Sequence, residues 1–172
     1  RAAGELHVTV PENETMENNS VTIGGQLTFV KDGAGTFKAN KTAQRYNGGT
    51  RIEEGLVIMP LSGSSSTTYD YNVGYVLGRT NSGSPIVIAA NGTLESNGNY
   101  DGRYFNFVLE GGTLSNTGCS MTAGWGSYGP MTLTADSTLA FTYQTTFAGG
   151  ASFGALHLDN HTLTLESNGN TF

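Results

Sequence analysis

This chain of 172 residues carries little charge, almost no cysteine and no helical periodicity. Charged residues make up 13%, about half the usual share. No Lys follows Lys41 and no Arg follows Arg103, so the last 69 residues have no fixed positive charge. Nucleic acid binding places Lys and Arg against phosphates, and this distribution excludes it. With a net charge of −6, an anionic membrane surface is equally unfavourable. Cys119 is the single cysteine, so no internal disulfide forms. The longest apolar runs fall well short of the roughly 18 residues that a spanning helix needs, so no membrane insertion is expected. The sequence also shows no signal peptide pattern. It opens at Arg1 within a strand-like pattern and stops at Phe172 within a motif, which reads as one segment of a longer chain.

What is present is glycine, at 25 residues, among many Thr, Ser and Asn. These types rank low in helix propensity and supply tight turns. Apolar residues alternate with polar ones at the period of a strand. Leu6, Val8 and Val10 do so, as do Phe105, Phe107 and Leu109, then Met131 and Leu133, then Leu139, Phe141 and Tyr143. Leu156 and Leu158 follow, then Leu163 and Leu165, while Ile86, Val87 and Ile88 form a continuous run expected to be buried on both sides. Short units also repeat. Leu-Glu-Ser-Asn-Gly-Asn occurs at 94–99 and again at 165–170. A Thr-Leu pair ends at Leu94, Leu114, Leu139 and Leu163, with spacings of 20, 25 and 24 residues. That is the length of one coil of a large parallel β-helix, and the chain would hold about seven. A single coil cannot bury its inner face, so several must stack. A β-sandwich or jelly roll also has short alternating strands and is the alternative. Pro11–Ser20 (PENETMENNS) and Ser62–Tyr71 (SGSSSTTYDY) break the rhythm and read as loops protruding from coil corners.

The stretch from Gly24 to Val57 reads GGQLTFVKDGAGTFKANKTAQRYNGGTRIEEGLV. It resembles the autotransporter-associated β-strand repeat of bacterial surface proteins. Gly24, Gly25 and Leu27 match its opening. Lys31, Gly33, Gly35 and Thr36 match its middle, and Tyr46, Gly48, Gly49, Thr50, Ile52, Gly55 and Leu56 its close. Phe37 stands where Leu is usual, and Lys41-Thr42-Ala43-Gln44 replaces the usual approach to the Tyr. The resemblance covers about a fifth of the chain. It implies a right-handed parallel β-helix serving as a passenger or stalk, located outside the cell, with neighbouring domains in a longer chain and no cofactor.

Candidate sites are few. Asn97, Asn99 and Asp101 before Gly102 look like the start of a calcium loop. The position that needs a bidentate Glu is Val108, so an ordinary Asn/Gly turn is the better reading. His157, Asp159 and His161, two apart, would share one strand face and could ligate zinc. Leu156 and Leu158 are expected to claim the inner face, which leaves those three solvated. Asp70, Arg79, Asp101, Arg103 and Glu110 are the only mixed charged group that a polysaccharide-degrading β-helix enzyme could use, and their spacing is irregular. Trp125, Tyr128, Tyr100 and Tyr104 could stack on sugar rings, which would make the chain a carbohydrate-binding module. Packing between coils is the plainer role for them. Asn-x-Ser/Thr triplets at Asn13, Asn18, Asn40, Asn91 and Asn160 are expected by chance at this composition. The expectation is therefore a non-enzymatic extracellular β-helix scaffold of an adhesin, with glycans or cell-surface proteins as partners.

Overall fold

The computed structural model describes residues 4–40, 44–59, 77, 84–96, 106–116, 130–141 and 156–167. Among these residues every regular element is a strand. The strands, numbered in chain order, fall into ladders that run parallel from coil to coil. One ladder joins β1 (Gly4–Thr9), β4 (Leu27–Asp32), the first part of β7 (Thr50–Met59), the first part of β8 (Pro85–Ser96), β9 (Asn106–Glu110), β11 (Met131–Ala135) and β13 (Leu156–His157). A second joins β2 (Thr15–Glu17), β5 (Thr36–Lys38), the remainder of β7 and β8, β10 (Thr113–Asn116), β12 (Ser137–Phe141) and β14 (Leu163–Ser167). A short third pairs β3 (Gly24–Gly25) with β6 (Arg45–Tyr46). This is a parallel β-helix. No described strand pairs antiparallel with another, apart from the isolated bridge Ala89–Gly111, so the sandwich alternative falls.

The alternation in the sequence becomes columns of stacked side chains. In the first ladder Leu6, Phe29, Thr50, Ile86, Phe107, Met131 and Leu156 stand above one another. Two residues further along the strand, Val8, Lys31, Ile52, Ile88, Leu109 and Leu133 do the same. The second ladder adds Met16, Phe37, Val57, Leu94, Leu114, Leu139 and Leu165. Ile52, Val57, Ile88, Leu94, Leu109, Met131 and Leu133 are sealed from solvent. Each such side chain contributes about 1.5–3 kcal/mol through burial. Neighbouring coils supply the walls, so the core exists only as a stack.

The corner between the two ladders needs backbone that turns sharply. Gly33 and Gly55 take it at φ 75° and 74°, the left-handed region that side chains avoid. A Cβ on Gly55 would also lie 2.5 Å from the carbonyl oxygens of Gly33 and Gly35 in the coil before it. Two independent constraints, conformation and space, therefore select glycine here.

Three expectations need correction. Within Pro11–Ser20, Thr15–Glu17 is strand β2, because Met16 stacks on Phe37 and Glu17 pairs with Lys38. The loop expected at Ser62–Tyr71 lies outside the described residues. The last Thr-Leu unit of the repeat is Thr164–Leu165 and not Thr162–Leu163. Leu139 pairs with Leu165, whereas Leu163 pairs with Ser137. With that shift, the two copies of Leu-Glu-Ser begin in one column, since Leu94 and Leu165 are linked through Leu114 and Leu139. Finally, Val87 is only half-buried and stands between Arg51 and Val108 on the outer side of the first ladder.

Candidate functional site

Among the polar assemblies of the described coils, three are built around Lys31, Tyr46 and Arg51. Lys31 occupies an inward position because it shares strand parity with Leu27 and Phe29 in β4. Its side chain has no exposed surface. The ammonium Nζ donates to the carbonyls of Asp32 at 2.9 Å, Gly33 at 2.6 Å and Glu54 at 2.9 Å. Two of these oxygens belong to its own corner and the third to the corner of the following coil. Burial pushes the Lys31 pKa down, and the charges of Glu54 and Asp32 partly oppose that. Three carbonyl dipoles thus replace the lost water around a buried cation and tie two corners together.

Tyr46 is buried beside Phe29, with ring centroids 5.9 Å apart and nearly parallel planes, and Phe29 also meets Phe37 at 5.2 Å. The buried Thr50 hydroxyl donates to the Leu77 carbonyl at 3.0 Å, so it receives the Tyr46 hydroxyl proton at 2.6 Å. Burial raises the Tyr46 pKa well above its ordinary value, against the smaller opposing effect of the Thr50 bond. The phenol stays neutral and serves as a donor. Gln44, in the segment that departs from the repeat pattern, is buried as well. Its carbonyl accepts from the Ile23 amide at 2.7 Å and its amide donates to the Val21 carbonyl at 3.2 Å.

Arg51 lies on the outer face of β7. Its guanidinium bonds both oxygens of Glu53 and reaches Glu110 at 2.7 Å, two rungs along the ladder. The Glu110 bond, followed by that to Glu53, raises the Arg51 pKa further. Another ion pair, Lys38 to Glu17 at 2.8 Å, links β5 to β2. That bond, with a smaller one from Asn19, holds the Glu17 carboxyl below its usual range. His7 contacts Glu5 at 3.0 Å and Asp32 at 3.7 Å, and its pKa is raised, chiefly by the Glu5 bond.

The expected sites fare differently. Trp125, Tyr128, Tyr100 and Tyr104 lie outside the described residues, as do Asn97, Asn99 and Asp101. Of the mixed charged group, Glu110 alone is described, and Arg51 holds it in an ion pair. His157, Asp159 and His161 do not share a strand face. Strand β13 ends at His157, and Asp159 and Asn160 turn the chain at φ 43° and 69°. His161 instead approaches Asp136 of the preceding corner at 3.8 Å. Leu156 takes the inward column, next to Met131, as expected, although it and Leu158 are each 42% exposed, and His157 and Asp159 are solvated. Among the described residues no three His, Cys, Asp or Glu side chains converge as a metal site would require.

Sequence reading named Lys31 and Thr50 only as motif positions and missed that both point inward. The parity of Leu27, Phe29 and Lys31 carried that information. The link from Arg51 to Glu110 had no signal, because it spans 59 residues. Comparison with known proteins gave no matching family model, no similar curated protein and no similar solved structure.

Proposed function

We propose that the chain is a non-enzymatic stalk or scaffold segment of a bacterial surface or secreted adhesin. One observation carries this reading: the residues of the motif at Gly24–Leu56 are spent on building coils. Gly33 and Gly55 turn corners, Lys31 ties them, Tyr46 and Thr50 bond inside the core, and Ile52 fills an inward column. Five charged side chains of the described coils serve the same task, with Arg51, Glu53, Glu110, Lys38 and Glu17 bound across or along rungs. A stacked coil extends one rung at a time at about 4.8 Å per rung, which suits a spacer that displays other domains at a distance. The resemblance to the passenger repeat supplies the extracellular location. The test is surface labelling: antibodies raised against the purified chain should stain intact cells of the source organism, and external protease should remove the signal. Staining only after permeabilisation would refute it.

A further inference from the structure

Strands β1 and β4 pair in parallel, and the outer face of that pair carries one imidazole between two carboxylates. Glu5 and His7 stand two apart on β1, so both side chains leave by the same face. Asp32 pairs with Thr9, which sets its carboxylate diagonally across the rung from His7. The ring is therefore met on both sides. Nε2 lies 3.0 Å from Glu5 Oε2, and Nδ1 lies 3.7 Å from Asp32 Oδ2. Glu5 belongs to the strand that carries the ring, whereas Asp32 belongs to the following coil. Lys31 precedes Asp32 but points inward, with its ammonium held by three carbonyls. Arg51 continues the outer column of His7 beyond Val30 and is engaged by Glu53 and Glu110. Among the described residues, Glu5 and Asp32 are thus the charges that bear on the ring.

What this arrangement does depends on the proton. A neutral imidazole has one N–H and can serve one of the two carboxylates, while the other faces a lone pair. Two anions then flank an uncharged ring across a rung, and like charges so placed weaken strand pairing. Protonation gives each ring nitrogen an N–H and sets a positive charge between the two anions. The gain is greatest on the Asp32 side, because that contact joins two coils and not two positions of one strand.

We propose that His7 is a clasp between two successive coils that mild acid closes: the protonated ring ties β1 to Asp32 of β4, and loss of the proton releases the tie. The His7 pKa is raised in the folded chain, chiefly by the Glu5 bond, and Asp32 adds to it. The contribution is therefore complete below the ordinary histidine value of about 6.5 and is lost as pH rises through the raised one. The clasp needs only the β1–β4 register, so it stands or falls separately from the extracellular stalk reading. The test is a nuclear magnetic resonance titration of the histidine rings in the full chain, with amide-exchange protection of β1 measured at about pH 5.5 and about pH 8. The His7 midpoint should lie above the ordinary value, and Asp32→Asn or added salt should lower it. After correction for intrinsic exchange, β1 amides should be at least about twofold better protected at the lower pH in the wild type. That difference should vanish in His7→Gln and shrink in Asp32→Asn, with circular dichroism showing that each variant keeps its strands. A midpoint that Asp32→Asn leaves in place would overturn the proposal, since the ring would then answer to Glu5 on its own strand alone. Equal protection of the wild type at the two pH values would overturn it too, as would a difference that survives in His7→Gln.

Discussion

Lys31 donates a hydrogen bond from inside the core to the carbonyl oxygen of Glu54, 2.9 Å away in the following coil. The same ammonium holds the carbonyls of Asp32 and Gly33. A cation is therefore the cross-tie between two successive corners, in a column otherwise filled by Val8, Ile52, Ile88, Leu109 and Leu133. Apolar replacement of a buried ion pair is often neutral, but here the partners are backbone carbonyls that cannot be replaced with it. Lys31→Met should therefore cost about 1–3 kcal/mol in denaturant unfolding, the penalty of leaving buried acceptors short of a donor. A Lys31→Met variant as stable as the wild type would show that the corner carbonyls need no ammonium.

Gly55→Ala should be more damaging than its size suggests. The residue sits at φ 74°, and its added methyl would press on the backbone of Gly33 and Gly35. The left-handed backbone alone costs about 1–3 kcal/mol for a residue other than glycine. Gly4→Ala, where nothing lies within 4 Å, serves as the control and should leave the unfolding midpoint nearly unchanged. Similar midpoints for the two variants would contradict the corner geometry.

Core truncations should depend on height in the stack. Leu94→Ala, in the enclosed middle of its column, should cost about 2–5 kcal/mol. Leu165→Ala belongs to the same column but is 52% exposed, and it should cost well under half of that. Equal losses in thermal or denaturant unfolding would mean that the end coils are sealed like the middle.

The Glu17–Lys38 pair gives a pH signature. Lys38 lowers the Glu17 pKa in the folded chain relative to the unfolded one. The unfolded state then binds the extra proton, so the contribution is complete above the ordinary glutamate value of about 4.3 and disappears as pH falls through the lowered one. The stability difference between the wild type and Glu17→Gln should accordingly be positive at neutral pH and shrink below about pH 4. A difference independent of pH would remove this pair from the account.

Composition and periodicity alone determined that the regular elements of the described residues are strands and that most coils span roughly 20–25 residues, because alternation of period two and abundant turn formers are local properties, whereas the coil from Thr50 to its partner Ile86 is longer. The inward placement of Phe107, Leu109, Met131 and Leu133 was legible for the same reason. Register was not. Whether Leu163 or Leu165 continues the column of Leu139, and whether Thr15–Glu17 is loop or strand, depends on what the neighbouring coil offers, and a shift of two residues leaves the alternation unchanged. Burial of Lys31 and Thr50 is likewise a tertiary decision. Polar groups enter the core only where carbonyls or hydroxyls of other segments receive them, and Glu54 and Leu77 lie 23 and 27 residues away from their partners. The sequence states the repeat, while the stack chooses which residues of each repeat face one another, since that choice is made by hydrogen bonds and packing between coils.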